Sequence, residues 1–416
     1  MKLHVLCIGN EILGGRTPNT NLAVLGSLCE EQGWHIEREI CIPDDFETIR
    51  RETLTALATA DVLVTIGGLG PTTDDLTRPA VAAALGLPLE LQPAIAEGIR
   101  NFLCRRQVKV HDEAVNLQAM VPAGAEILPN RNGTAPGLCI PVPPGQLRMV
   151  FLLPGPPHEF VPMARDEVLP RLLARFPRDE IAASVFCVGI AESTAAEVAE
   201  AVAKRHGGFS IAYCAKPSQV YIRFTTCPER AAALAAAMCE LRQELSAHAL
   251  PEGCHSVIEA IAARLKRDGL VLATAESCTG GGIARAITDL PGASAFFHGA
   301  VVAYDNAWKT RMLGVPETLL KEYGAVSEEV ARAMLQGLLD LGIAQVGIAV
   351  TGIAGPDGGT PEKPVGLVYI ATGSQAAITV KRYRFGGDRE AIRDRVVAMA
   401  LIQLWQGLAN AMPKGT

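Results

Sequence analysis

Ser277 opens the segment Ser277-Cys278-Thr279-Gly280-Gly281-Gly282, which follows the apolar run Leu270-Val271-Leu272-Ala273 and precedes Ile283-Ala284-Arg285-Ala286-Ile287. A hydroxyl set where a strand turns through glycines into a helix lies beside exposed backbone N–H groups, which suit a developing oxyanion or a phosphate. Cys278 is a rival nucleophile, because thiolates attack more readily and a helix N-terminus would lower its pKa. Glu276 could act as a carboxylate base or bind backbone donors in the turn. Ser277 also has a plain structural use, since serine favours helix N-caps. The local sequence leaves these roles open.

The elements that must position this turn are legible from the apolar pattern. Leu3 to Ile8, Val62 to Ile66 and Met149 to Leu153 are strand-length apolar runs, interleaved with helix-like stretches Asn21 to Gln32 and Arg78 to Leu85. That alternation predicts an α/β domain over 1–170 with a mostly parallel sheet. Glycine-rich turns follow all three strands, at Gly9, at Gly67-Gly68-Leu69-Gly70-Pro71 and at Pro154-Gly155-Pro156-Pro157. Ligands of open α/β sheets sit at the carboxyl ends of strands, so these turns are expected on one rim. Over 171–250 the pattern becomes a small α+β module: strands Val185 to Val188 and Gln219 to Thr225, a helix Thr194 to Lys204 with a Thr194/Glu197 capping box, and an alanine-rich helix Pro228 to Leu245. Pro251-Glu252-Gly253 breaks the chain, and a third, α/β domain is expected over 251–416. Its first helix carries a Ser256/Glu259 capping box and ends at Gly269, followed by a strand Val301 to Tyr304, a helix from Ser327, a strand Val346 to Val350 and a closing helix from Asp388.

With 416 residues, 49% of them hydrophobic, the chain has material for two or three domains. A formal net charge of -6 supplies no general field for nucleic acid or anionic lipid. The eleven cysteines include no C-x-x-C pair, and read as buried, reduced thiols rather than a disulfide frame or a zinc site. No apolar stretch approaches the roughly 18 residues that span a bilayer, so a cytoplasmic protein is expected.

These motifs together resemble the CinA family along the whole chain. The amino-terminal region is similar to molybdopterin-binding MoaB/MogA-type domains in Gly9-Asn10-Glu11-Ile12-Leu13, Asn19-Thr20-Asn21, Pro43-Asp44-Asp45, Gly67 through Thr77, Gly133-Thr134-Ala135-Pro136-Gly137 and Leu153 through Pro157. The carboxy-terminal region resembles a nicotinamide mononucleotide (NMN) amidase domain in Glu276 through Gly281, Tyr304-Asp305-Asn306 with Lys309, Gly324-Ala325-Val326-Ser327, Thr351 through Pro356 and Gly387-Asp388-Arg389. Such an enzyme attacks a carboxamide, holds the oxyanion and protonates departing ammonia. No H-x-x-x-H or H-E-x-x-H arrangement offers a metal-bound hydroxide, and His255 and His298 are the histidines after Pro251, so a cofactor-free serine mechanism is the simpler expectation. Lysine can replace histidine as base when burial lowers its pKa.

The resemblance implies Ser277 as nucleophile, Lys309 as base and Tyr304 as proton relay. Thr351 with Gly352, Ala354 and Gly355 is expected at the carboxamide or oxyanion, Thr279, Gly280 and Gly281 beside it, and Arg389 with Arg393 at the substrate phosphate. Trp308 is expected to pack, with stacking on a pyridinium ring as the alternative. For the amino-terminal domain the resemblance implies metal-dependent ADP-ribose pyrophosphatase chemistry. Asp44, Asp75 and Asp74 would hold a divalent cation, and Gly67, Gly68, Gly70, Thr72, Asn21 and Gly155 the phosphates. Pro156 stands where MogA-like proteins carry serine, which argues against molybdopterin adenylylation. The middle module resembles a KH-like spacer, yet Cys214-Ala215-Lys216-Pro217 has no G-x-x-G clamp, so docking or homodimerisation is expected there rather than RNA binding. Two other readings compete: a molybdopterin-binding protein, and a non-enzymatic partner in DNA uptake or repair. The acidic balance and the lack of a basic aromatic stripe weigh against the last.

Overall fold

Strands that bury both faces read as unbroken apolar runs, and the first strand, Leu3–Ile8 (β1), is buried at every position. The computed structural model describes residues 1–142, 149–177, 180–216 and 218–410; Pro217 of the middle linker lies outside them. The chain divides into two compact units, one formed by Met1–Ala182 with Thr225–Ala231 and the other by Ala183–Phe224 with the chain from Ala232 onward.

In the first unit β1 is followed by β2 (Ile36–Ile42), β3 (Val62–Ile66), β4 (Leu89–Leu91), β5 (Met120–Pro122), β6 (Glu126–Leu128), β7 (Gly137–Pro141) and β8 (Met149–Leu153). The main sheet has the order β2-β1-β3-β8-β7-β6, while β4 and β5 pair separately. β2, β1, β3 and β8 run parallel, and β7 and β6 add an antiparallel edge. Alternate β1 side chains face opposite layers. Leu3, Val5 and Cys7 pack with Leu25, Leu28, Phe160 and Met163, whereas Leu6 and Ile8 pack with Ile49, Ala56, Ala80 and Val81. Each fully buried aliphatic side chain contributes roughly 1.5–3 kcal/mol.

The middle module has β9 (Ile181–Val188), β10 (Ser210–Lys216) and β11 (Gln219–Thr226) in the order β10-β11-β9, with helices Glu192–Arg205 and Ala231–Glu244. Thr194 is not a cap. The helix begins two residues earlier, after Ala191, without a side-chain cap, so the expected capping box falls inside the first turn.

The carboxy-terminal strands β12 (Leu272–Glu276), β13 (Phe297–Val302), β14 (Val346–Gly352), β15 (Leu367–Ser374) and β16 (Ala377–Arg384) form a sheet of order β13-β12-β14-β15-β16. The first three are parallel, and β15 and β16 complete an antiparallel meander. Helices Val257–Asp268 and Arg389–Asn410 cover one face. The helix Glu328–Asp340 covers the other, through Val330, Met334, Leu335 and Leu338. The anticipated Ser256 N-cap is present, Glu259 N–H donating to Ser256 Oγ at 3.2 Å, and Ser327 caps its helix likewise, accepting from Val330 N–H at 3.3 Å. β13 ends at Val302, earlier than expected, because Asp305 caps the next helix, Asn306–Leu313, by accepting from Ala307 N–H.

The cysteines are not uniformly buried. Cys104, Cys214, Cys227 and Cys239 are exposed, and all eleven are free.

Candidate functional site

Register brings the carboxy-terminal motifs together. Glu276, at the end of β12, is the cross-strand partner of Val302 on β13 and of Val350 on β14. Ser277 and Ala303-Tyr304 therefore leave the sheet on one rim, beside Thr351, which is still paired to β15. Ser277 N–H donates to Val350 O at 3.1 Å and Ala303 N–H to Glu276 O at 2.8 Å, extending the ladder by one step on each side.

Glu276 is fully buried and makes the turn. Its Oε2 accepts from Thr279 Oγ1 (2.7 Å), Gly281 N–H (3.0 Å) and Ile283 N–H (3.1 Å), and its Oε1 from Ala284 N–H (2.8 Å) and Thr274 Oγ1 (3.2 Å). These contacts satisfy donors that the helix Gly282–Thr288 would otherwise leave unpaired. Of its two anticipated roles the structure shows the turn-binding one. The resemblance also implies substrate binding at Glu276, a contact for which its buried side chain offers no exposed surface in this structure. Gly280 and Gly281, at φ 61° and 93°, supply the left-handed backbone that folds the loop over this carboxylate.

Ser277 is 7% exposed, and its Oγ has no hydrogen-bond partner among the described residues. Beside it, Cys278 belongs to the apolar core. Burial pushes its thiol up to about 12, with Glu276 adding to the rise and Lys309 and Arg393 opposing it. Desolvation thus opposes the activation expected from the helix N-terminus and disfavours the Cys278 thiolate.

Lys309 is 2% exposed. The helix Asn306–Leu313 turns it inward, where Nζ donates to Tyr304 O at 3.3 Å. Burial lowers its pKa, opposed by Asp305 and Cys278. Tyr304 follows Ala303, whose N–H donates to Glu276 O, so this bond holds the amine on the same rim as the Ser277 turn. Tyr304 itself is 60% exposed, and its hydroxyl accepts from Arg389 Nη2 at 2.8 Å. Arg389 Nη1 donates to Gly355 O at 2.6 Å and Arg393 Nη2 to Thr279 O at 2.8 Å, so the first turns of the last helix reach both loops. Thr351 is buried and donates to Ala325 O at 2.7 Å, which ties the Gly324–Ser327 turn to the rim. Gly352 continues β14, where an added Cβ would meet Val368 Cγ2 at 2.6 Å. The N–H groups of Thr279, Ala354 and Gly355 have no acceptor among the described residues. Lys363, which sequence reasoning missed, donates to Tyr323 O and to Val326 O (2.8 Å) and pins the same turn. It lies outside the recognisable motifs. Trp308 is 54% exposed, so the packing role expected for it is not what the fold shows.

In the first unit the three glycine turns do share a rim. An added Cβ at Gly67 (φ 106°) would lie 2.2 Å from Ile8 O, and one at Gly155 would lie 3.6 Å from Gly67 Cα. Asn21 Nδ2 donates to Gly155 O at 2.7 Å, while its buried Oδ1 is unpartnered. Asp75 accepts from Gly70 N–H (2.6 Å), Thr72 N–H (2.8 Å) and Thr72 Oγ1 (2.6 Å), so both its oxygens close the loop. Arg78, also missed, is buried and donates to Leu69 O and Gly70 O. Desolvation raises the Asp44 pKa, and Glu11, Asp75 and Asp74 raise it further, against the Asn10 N–H that donates to it. Asp74 is exposed. Asp44, Asp74 and Asp75 do not bring their oxygens within 4.8 Å of one another. Both Asp75 oxygens also serve the loop, while Asp44 feels the charges of Asp75 and Asp74.

Fold and sites together define a two-part α/β protein, with a molybdopterin-binding type of domain followed by a rim carrying a serine and a buried lysine. Residues 4–174 match the probable molybdopterin binding domain and residues 254–408 the CinA C-terminal domain. A CinA-like protein of Citrifermentans bemidjiense is 40% identical over 401 residues, covering 96% of each chain. A putative competence-damage inducible protein of Caldicellulosiruptor bescii is 39% identical over 406 residues, covering 96% of this chain and 98% of that one. Among solved structures, the competence/damage inducible protein CihA of Agrobacterium tumefaciens is 43% identical, with a TM-score of 0.34, over 37% of this chain and 95% of that one. The chain belongs to the CinA family. Among the described residues no helix is long and apolar enough to cross a membrane.

Proposed function

We propose that the carboxy-terminal domain is a nicotinamide-nucleotide amidase, converting NMN and water to nicotinic acid mononucleotide and ammonia. The observation that carries this reading is Lys309, a buried amine held by Tyr304 O on the rim where the Ser277 turn leaves β12. Neutral Lys309 takes the Ser277 Oγ proton as Oγ attacks the carboxamide carbon. The carbonyl pair moves to oxygen, where the free N–H groups of Thr279, Ala354 or Gly355 receive it. Collapse breaks the C–N bond, and the proton held by Lys309 goes to the departing ammonia. Water then repeats the sequence on the acyl-serine. Arg389 and Arg393 have further N–H donors beyond those used in the fold and can bind the substrate phosphate. Tyr304 orients Arg389 through its hydroxyl and Lys309 through its carbonyl. Incubation with NMN should yield ammonia and nicotinic acid mononucleotide in equal amounts, and Lys309→Met should abolish both. Product formed at wild-type rate by Lys309→Met would refute the assignment.

A second activity, ADP-ribose pyrophosphatase, is supported in the first unit by the buried, unpartnered Asn21 Oδ1 and the close approach of Gly67 and Gly155. Asp44 and Asp75, with Asp74, would hold a divalent cation, whose charge would offset the desolvation and repulsion that raise Asp44 and which can polarise an attacking water. Gly67, Gly68 and Gly70 line the phosphate side. Self-association as a homodimer in the cytoplasm belongs to the same reading, and sedimentation would measure its stoichiometry.

A further inference from the structure

The sequence separates Cys7 and Cys41 by 34 positions, yet parallel pairing of β1 with β2 makes them direct cross-strand partners. Glu39, two residues before Cys41, lies on the same face of β2. The two sulfurs and a Glu39 oxygen all lie within 4.8 Å of one another. Cys41 Sγ is 3.0 Å from Glu39 Oε1. Asn19, the N-cap of the helix Thr20–Glu30, reaches over the group and donates from Nδ2 to Cys7 Sγ at 3.1 Å and to Glu39 Oε1 at 3.4 Å. Cys7 is buried, while Cys41 and Glu39 are partly exposed, so the group opens to solvent on one side.

We propose that Cys7, Cys41 and Glu39 form a binding site for a thiophilic divalent cation of the zinc class, with Asn19 as a hydrogen-bond donor to the ligating sulfur. Two thiolates and a carboxylate are a recognised donor set for such an ion, and metal–sulfur bonds of roughly 2.3 Å can be made from donors this close. An N–H directed at a ligating sulfur is the usual outer contact of a thiolate site. The fourth position falls on the open side, where water can fill it. The ion would fasten edge strand β2 to β1 directly below Asn19-Thr20-Asn21, and Asn21 holds the Gly155 turn of the phosphate rim.

The test is Co2+ titration of the full chain, reduced and stripped with chelator, read by the sulfur-to-cobalt charge-transfer band. One equivalent should produce the band, Zn2+ should displace it, and bound Zn2+ should raise the melting temperature. Cys41→Ser should abolish the band and Glu39→Gln should weaken binding at least tenfold, both with unchanged circular dichroism, whereas Asp44→Asn should keep it. Absence of the band in the wild type, or its survival in Cys41→Ser, would overturn the proposal. The Asp44→Asn arm and ammonia assays separate this result from either proposed activity.

Discussion

Lys309 and Cys278 illustrate how one physical effect assigns opposite roles to neighbouring groups. Burial disfavours charge, so it lowers the amine and raises the thiol. In the proposed mechanism the first shift favours Lys309 as base and the second disfavours Cys278 as nucleophile. The sign has a consequence for pH dependence. Because the folded Lys309 pKa lies below its ordinary value, kcat/KM for NMN should fall as pH drops through that lowered pKa, as the amine protonates. The folded state also binds fewer protons than the unfolded chain between the lowered value and 10.5, so this residue's contribution to stability rises with pH across that window. A pH–rate profile compared with Lys309→Met should show the base's limb in the wild type and a loss of about 10^3-fold in the variant. Cys278→Ala should keep activity within about threefold, since a buried thiol whose thiolate is disfavoured takes no part in the proposed attack.

At the scale of elements, the strand β12, its turn and the helix Gly282–Thr288 are organised by one buried carboxylate. Glu276→Ala would strand the N–H groups of Gly281, Ile283 and Ala284, and should cost about 3 kcal/mol or more in denaturant unfolding. Ser327→Ala removes a single cap and should cost about 1 kcal/mol. Elements of this kind were readable from sequence where the signal is local: the apolar runs of β1, β3 and β8, the Ser256 cap and Gly269 after its helix. The charged edge strands β2 and β16 were not. β2 and β16 alternate with charged residues, and nothing in Ile36-Glu37-Arg38-Glu39 identifies a strand before β1 is known to pair with it. In the sites, Ser277 and Lys309 were legible through motifs, but the direction of each hydrogen bond was not. Asp75, Thr351 and Glu276 hold loops, and Lys363 and Arg78 act by contacts made across 40 and 9 positions.

At the scale of the molecule, two units of different donor chemistry occupy one chain. The first offers hard carboxylate oxygens at Asp44, Asp74 and Asp75, whereas the second offers an amine, a hydroxyl and backbone N–H groups. Chelator should therefore abolish ADP-ribose hydrolysis and leave ammonia release from NMN unchanged, with each activity followed in the same preparation. The measurement that bears most directly on the account is ammonia release from NMN by the full chain beside its Ser277→Ala and Cys278→Ala variants. The structure leads to loss of activity by about 10^3-fold or more in Ser277→Ala and retention in Cys278→Ala. Loss confined to Cys278→Ala, or full activity in Ser277→Ala, would contradict it.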